Sequence, residues 1–108
     1  MTNECIFCKI IKGEIPCKKV FENEFVIAFH DIKPKAKTHV LIIPKSHIDE
    51  FSEIAQLSSD MIINCIKGVA DVGKILGLDH YKVLINNGAG SGQEVFHLHI
   101  HLISDQAI

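Results

Sequence analysis

Val95-Phe96-His97-Leu98-His99-Ile100-His101-Leu102-Ile103 alternates apolar residues with histidine from Phe96 to Leu102. Side chains on a strand point to opposite faces at every second residue. The spacing therefore predicts a strand over 95–103, with His97, His99 and His101 on one face and Leu98, Ile100 and Leu102 turned to a core. Three neighbouring imidazoles repel one another once protonated and bury little apolar area, so the histidine face does not serve folding. It can be a solvent-facing surface, a metal site in which His-x-His places two ring nitrogens on one ion, or a catalytic centre. For the last, imidazole is partly neutral near pH 7 and acts as nucleophile, base or acid without large retuning. The preceding loop, Asn87-Gly88-Ala89-Gly90-Ser91-Gly92, lets main-chain N–H groups crowd around an anion without Cβ interference. It lacks the Gly-Lys-[Ser/Thr] ending and leads into a strand, so it is not a P-loop. An anion cradle running into a histidine cluster points to phosphorus chemistry.

Outward from that strand, the chain reads as alternating short elements. Ile6, Phe7, Ile10 and Ile11 have helical spacing, ended by Gly13 and Pro16. Residues 19–21 and 25–29 flank Glu22-Asn23-Glu24 as a hairpin. Residues 38–43 are β-branched and apolar, closed by Pro44, and predict a buried strand. A helix over 58–76 carries a broad apolar stripe, with Ser58 or Ser59 as cap and Gly77 at its end. Another strand is predicted over 81–86. Strands outnumber helices and do not alternate with them, so the fold class is α+β with a mainly antiparallel sheet.

At 108 residues the chain has room for one domain. With 47% hydrophobic and 22% charged residues, it is neither disordered nor a polybasic arm. A formal net charge of −2 argues against a protein that grips nucleic acid through phosphate attraction. No apolar run reaches the roughly 20 residues of a membrane span, and Met1 to Cys5 show no secretory leader. The cysteines at 5, 8, 17 and 65 are too sparse for a disulfide framework, so a reducing cytoplasm is expected. Cys65 reads as a small core residue. Cys5 and Cys8 form a CxxC pair, which suggests metal or redox chemistry.

His97-Leu98-His99-Ile100-His101-Leu102-Ile103 resembles the His-φ-His-φ-His-φ-φ motif (φ apolar) of the histidine triad (HIT) superfamily, in its Hint branch. Dispersed segments match family segments in order: Cys5 to Ile10, Gly13 to Pro16, Phe29 to Ile32, Pro34, Thr38-His39, Ile43 to His47 and Gly92 to Val95. The resemblance implies one HIT domain over residues 1–108. Its α+β fold would have a mainly antiparallel five-stranded sheet, one short helix and one long helix. It also implies hydrolysis of a purine nucleoside phosphoramidate, with His99 attacking the α-phosphorus to form a nucleotidyl-histidine. A dinucleoside polyphosphate hydrolase or nucleotidyl transferase of the same superfamily is the alternative, as is a zinc-stabilised nucleotide-binding module without turnover.

Carried over residue by residue, His101 and the main chain of Gly92, Gln93, Glu94 and Val95 would hold the phosphate, with Asn86 assisting. His39 would orient or polarise the group beside His101. Asp31 matches the position that bonds the ribose hydroxyls. Ile6, Phe7, Phe29 and Ile32 would form the base slot with Ile10 and Ile15, and His30 would lie near its edge. Where eukaryotic relatives have Ser or Thr this chain has Glu94, whose side chain receives no role. In zinc-containing relatives a CxxC pair is completed by the Pro-Lys-x-His histidine and the first triad histidine, which here gives Cys5, Cys8, His47 and His97 around a structural zinc. The resemblance further implies a homodimer that pairs the long helix and a central strand across a two-fold axis. No nucleic-acid or membrane partner is expected.

Overall fold

A computed structural model describes residues 5–108; the reading of no secretory leader rests largely on residues 1–4, outside that range. The elements run α1 (Ile6–Ile11), β1 (Lys19–Glu22), β2 (Val26–His30), β3 (Thr38–Pro44), a 3-10 turn (Phe51–Gln56), α2 (Ser59–Ile75), β4 (Lys82–Leu84), a second 3-10 turn (Ala89–Ser91) and β5 (Ile100–Ser104). The five strands form one sheet in the order β1-β2-β3-β5-β4, every neighbouring pair antiparallel.

Both faces of the central strands are covered. Alternate residues Val26, Ala28, Val40, Ile42, Ile100 and Leu102 meet Cys65, Val69 and Val72 of α2 in one core. The opposite set, Ile27, Phe29, Leu41 and Ile43, packs against Phe7 and Ile10 of α1. Period-two alternation thus serves two cores, which is why β3 is buried at every residue. Cys65 is a core residue, as its apolar neighbours suggested.

Helix α2 ends where the sequence places its signals. The Ser58 side chain accepts the Met61 N–H, and Gly77 takes a φ of 68° just past the last turn. Gly68, against Val26 and Ile42, and Gly73, against Tyr81, let α2 lie close to its surroundings. A Cβ built on Gly73 would stand 2.7 Å from Tyr81 Cε2 and 2.9 Å from its hydroxyl. Gly73→Ala gains about 1 kcal/mol of helix propensity but overpacks this contact at a cost of about 1–3 kcal/mol. A lower urea midpoint is expected; an unchanged or higher one would show that Tyr81 yields freely.

Two predicted strands are shorter than expected. The one over 81–86 holds only Lys82–Leu84. The histidine strand over 95–103 begins its ladder only at Ile100, which pairs with Ile42. Residues 95–99 leave the sheet: the Leu98 N–H donates to Ile48 O at 2.8 Å, and Leu98 joins Ile48, Leu57 and Met61 in a third apolar cluster. Burial does not alternate here: His97, Leu98 and His99 are all buried, because a loop and helices cover both faces of the segment, so the histidine face is not the open surface that the alternation suggests. The 3-10 turn over Phe51–Gln56 carries no periodic signal and was not expected.

Candidate functional site

On the α1 face, register decides which histidines meet. His101 pairs with Leu41, and His39 with Ile103, so the two imidazoles are diagonal neighbours on one face. Their nitrogens, His39 Nε2 and His101 Nδ1, are 2.9 Å apart. The main chain sets the direction of that bond. The Lys35 N–H donates to His39 Nδ1 at 3.1 Å, so a neutral His39 carries its proton on Nε2 and donates it to His101 Nδ1. His101 then bears its own proton on Nε2. That atom is buried without a partner among the described residues, an unusual cost in a folded interior and a donor ready for a ligand oxygen. Asp31 Oδ2 lies 3.6 Å from His39 Nε2, too far for a direct hydrogen bond, while Asp31 Oδ1 accepts the Lys33 N–H at 2.9 Å.

His99 is 8% exposed. Its Nδ1 lies 2.8 Å from the His97 carbonyl. A carbonyl only accepts, so Nδ1 carries the proton and Nε2 keeps its lone pair. The ring stands against the edge of Phe7, with centroids 5.3 Å apart, and 4.9 Å from His101. Burial lowers the His99 and His39 pKa values and holds His101 at about 4, helped by the other two imidazoles. All three rings are therefore neutral at pH 7. A lone-pair nitrogen and an orphan N–H donor side by side are suited to attack on a centre that carries an anionic oxygen.

The loop before this segment is pinned from inside. Buried Gln93 donates through Nε2 to Asp49 O (2.7 Å) and Val95 O (3.0 Å) and accepts the Gly88 N–H through Oε1 (2.8 Å). Asn86 Nδ2 donates to Ser91 O. The expected phosphate cradle is narrower than the sequence suggests. The Gly92 and Gln93 N–H groups already donate to Ala89 O and Gly88 O within the turn. Those of Glu94 and Val95 have no partner among the described residues. The Gln93 side chain is likewise engaged and acts as a brace.

Of the expected base slot, Phe7 and Phe29 are buried and meet edge to face at 5.6 Å, next to Ile10 and Ile15. Ile6 is largely exposed, and Ile32 is 87% exposed, an apolar side chain left in water beside Asp31. His30 closes β2, half-buried. Glu94 is exposed and lines an open hollow of about 450 Å³ with Ile6, Asp49 and Phe96, adjoining Cys5 and His47.

Cys5, Cys8, His47 and His97 converge, their donor atoms all within 4.8 Å of one another. Cys5 Sγ to His97 Nδ1 is 3.4 Å, Cys8 Sγ to His47 Nδ1 3.3 Å and the two Nδ1 atoms are 3.1 Å apart. A tetrahedral zinc with bonds of about 2.0–2.3 Å would require edges of about 3.3–3.8 Å. The outer nitrogens fix the tautomers: His97 Nε2 lies 2.9 Å from Pro44 O and His47 Nε2 2.7 Å from Asp49 Oδ1. Both Nδ1 atoms are then lone pairs facing each other, an arrangement that a cation satisfies, and Pro44 O and Asp49 Oδ1 hold the far N–H groups as acceptors commonly do for metal-bound histidine. Burial keeps His97 neutral, with a pKa of about 4. It also pushes the Cys8 thiol up to about 11, helped by Cys5, a cost that a bound cation reverses. The Cys5 sulfur caps α1 by accepting the Cys8 N–H. The residues present fit a metal ion.

A family model described as the HIT domain matches residues 12–108. This chain belongs to the HIT family. The HIT-domain protein is 51% identical over 102 residues to an uncharacterised HIT-like protein of Methanocaldococcus jannaschii, covering 92% of this chain and 77% of that one. It is 44% identical over 99 residues to the adenosine 5'-monophosphoramidase hnt1 of Schizosaccharomyces pombe, covering 92% and 72%. Among solved structures, a histidine triad protein from Clostridium difficile superposes with a TM-score of 0.90 at 37% identity, over 100% of this chain and 96% of that one. A zinc-bound histidine triad family protein from Mycobacterium smegmatis does so at 0.75 and 29% identity, over 95% and 76%. These likenesses agree with the α+β fold and five-stranded antiparallel sheet. No helix among the described residues is long and apolar enough to cross a membrane.

Proposed function

We propose that this HIT-domain protein hydrolyses purine nucleoside phosphoramidates, adenosine monophosphate joined to an amine, through a nucleotidyl group carried on His99. One observation carries the reading: the His97 carbonyl holds the His99 Nδ1–H at 2.8 Å and leaves Nε2 as a lone pair on a buried ring. The phosphoramidase name of the S. pombe relative supports it. In the first step Nε2 attacks the α-phosphorus and the P–N bond breaks. The amine leaves with the bonding pair and takes a proton from solvent. Water then attacks the phosphorus, the Nε2–P bond breaks with its pair returning to the ring, and the water gives up a proton to solvent, leaving the nucleoside monophosphate and the neutral ring. His101 Nε2–H donates to a phosphate oxygen as charge builds, held in that tautomer by His39. The free N–H groups of Glu94 and Val95 take a second oxygen, on a loop that Asn86 and Gln93 brace. The base lies against Phe7, Phe29, Ile6 and Ile32 with His30 at the edge, and Asp31 receives the ribose hydroxyls. A fluorogenic adenosine phosphoramidate tests the reading; no turnover above buffer would leave a nucleotide-binding module instead.

Cys5, Cys8, His47 and His97 would hold one zinc, and the zinc-bound M. smegmatis neighbour supports that choice of metal. When bound, zinc supplies a cross-link between α1 and the segment before β5. Residues 1–108 would work as one HIT domain in the cytoplasm, where the free cysteines at 5, 8, 17 and 65 stay reduced; finding the chain in a secreted fraction would contradict this.

A homodimer is part of the same reading. Ile63 and Ile66 on α2 and Val83 on edge strand β4 are exposed, Ile66 at 62%, a set of apolar side chains that a second copy would cover. Light scattering at micromolar concentration should give twice the chain mass of 12.0 kDa; a monomer there would refute the pairing.

A further inference from the structure

We propose that the Cys5–Cys8–His47–His97 cluster is a positioning device for His99. By anchoring the His97 ring, it fixes the His97 carbonyl that sets the His99 tautomer. The inference rests on the reading of His99 as nucleophile and of the cluster as a metal site.

His97 joins the two sites with two parts of one residue. Its ring faces the cluster through Nδ1, and its carbonyl holds the Nδ1–H of His99. Residues 95–99 lie outside the sheet ladder, so few bonds hold their main chain. Among the described residues these are the Leu98 N–H to Ile48 O, the Gln93 amide to Val95 O and the His99 Nδ1–H to the His97 carbonyl. The ring of His97, wholly buried, is a further anchor beside the packing of Leu98. Pro44 O holds one edge at 2.9 Å, and two sulfurs and His47 face the other. Helix α1 adds a second link. Between the two cysteines it carries Phe7, whose ring touches both His97 and His99 edge-on, at 5.9 and 5.3 Å.

With a cation at the centre, both Nδ1 lone pairs are used and His97 keeps its bond to Pro44. Without one, protonated thiols offer only weak S–H donors to those lone pairs. Either ring can then shift its proton to Nδ1, at the loss of Pro44 O or Asp49 Oδ1. A loosened His97 no longer fixes its carbonyl, and the fraction of His99 with Nε2 unprotonated falls. Phe29 in β2 and Asp31 just after it hold their part of the nucleotide from outside the cluster, but Phe7 lies on this chain of contacts and packs on Phe29, so KM is expected to rise less than kcat falls.

The test compares the full-length protein loaded with zinc and stripped by a chelator. Nitrogen-15 NMR of the imidazoles reads the His99 tautomer, and kcat and KM are measured on an adenosine phosphoramidate. The loaded protein should show His99 as the Nδ1–H form alone. The stripped protein should show the Nε2–H form as well, with kcat down about tenfold or more, the size usual when a group that orients a metal-bound histidine is lost, and a smaller rise in KM. Adding zinc back should restore both. A stripped protein with an unaltered His99 tautomer and kcat overturns the inference. If stripping unfolds the chain, Asp49→Asn takes its place, since it keeps all four donors and weakens only the His47 acceptor. The same changes, smaller, are expected there, and an unchanged tautomer and kcat again overturn the inference. If the loaded wild type has no turnover, the phosphoramidase reading fails, while the tautomer comparison still decides the coupling.

Discussion

His99→Ala is expected to lower kcat/KM for an adenosine phosphoramidate by three decades or more while adenosine monophosphate still binds. Three decades correspond to about 4 kcal/mol of transition-state stabilisation. The size follows from the role, because without Nε2 no covalent route exists and water must attack the phosphorus directly. Binding survives because the base and ribose contacts come from α1, β2 and the turn at Asp31, and the unpaired His101 donor remains. The ring is packed against Phe7 and His101, so the variant also leaves a void. His99→Gln, closer in volume, controls for that: it should lose turnover to the same extent with a smaller drop in melting temperature. Activity within tenfold of wild type in both variants would remove His99 from the chemistry.

Chelation should have the largest effect on stability. A ligand that binds only the folded state at a free concentration of about 1,000 times its Kd stabilises by about 4 kcal/mol. For a domain of this size each kcal/mol is worth about 4–8 °C, so removing zinc should lower Tm by about 15–30 °C. The ligands explain why so much depends on one ion. Cys5 and Cys8 flank the start of α1, His47 follows β3 and His97 precedes β5, so the site ties together parts of the chain up to 92 positions apart in sequence. Cys8→Ala should reproduce most of the loss and no longer respond to the chelator. Zinc content near zero in protein purified without chelator, together with a Tm that chelator leaves in place, would dismiss the metal.

Local signals were legible in the sequence and pairings were not. The bounds of α2 follow from Ser58 and Gly77, which act on neighbouring main-chain groups. The β1–β2 hairpin follows from Asn23, whose Oδ1 accepts the Phe25 and Val26 N–H groups. The histidine alternation placed Leu98, Ile100 and Leu102 inside, yet it overstated the strand. The apolar pattern has the same period whether a sheet or a loop provides the partner, and neither the burial of His97 and His99 nor the Leu98–Ile48 bond that draws residues 95–99 away from the ladder leaves a periodic trace. The His39–His101 bond depends on the β3–β5 register across 62 positions, and its direction depends on one Lys35 N–H. Neither could be read from spacing. The free N–H groups at Glu94 and Val95 appear only when each donor in the loop is assigned an acceptor.

The sheet order carries a consequence for how the chain is made. β4 pairs only with β5 in this sheet, and β5 lies between β3 and β4. A ribosome delivers β4 before the strand that must separate it from β3. Until residues 100–104 emerge, β4 has no native neighbour and the inner edge of β3 stays open. His97 precedes that strand by only a few residues, so the sheet, the metal ligands and the histidine face are completed together, once residues 97–104 have emerged.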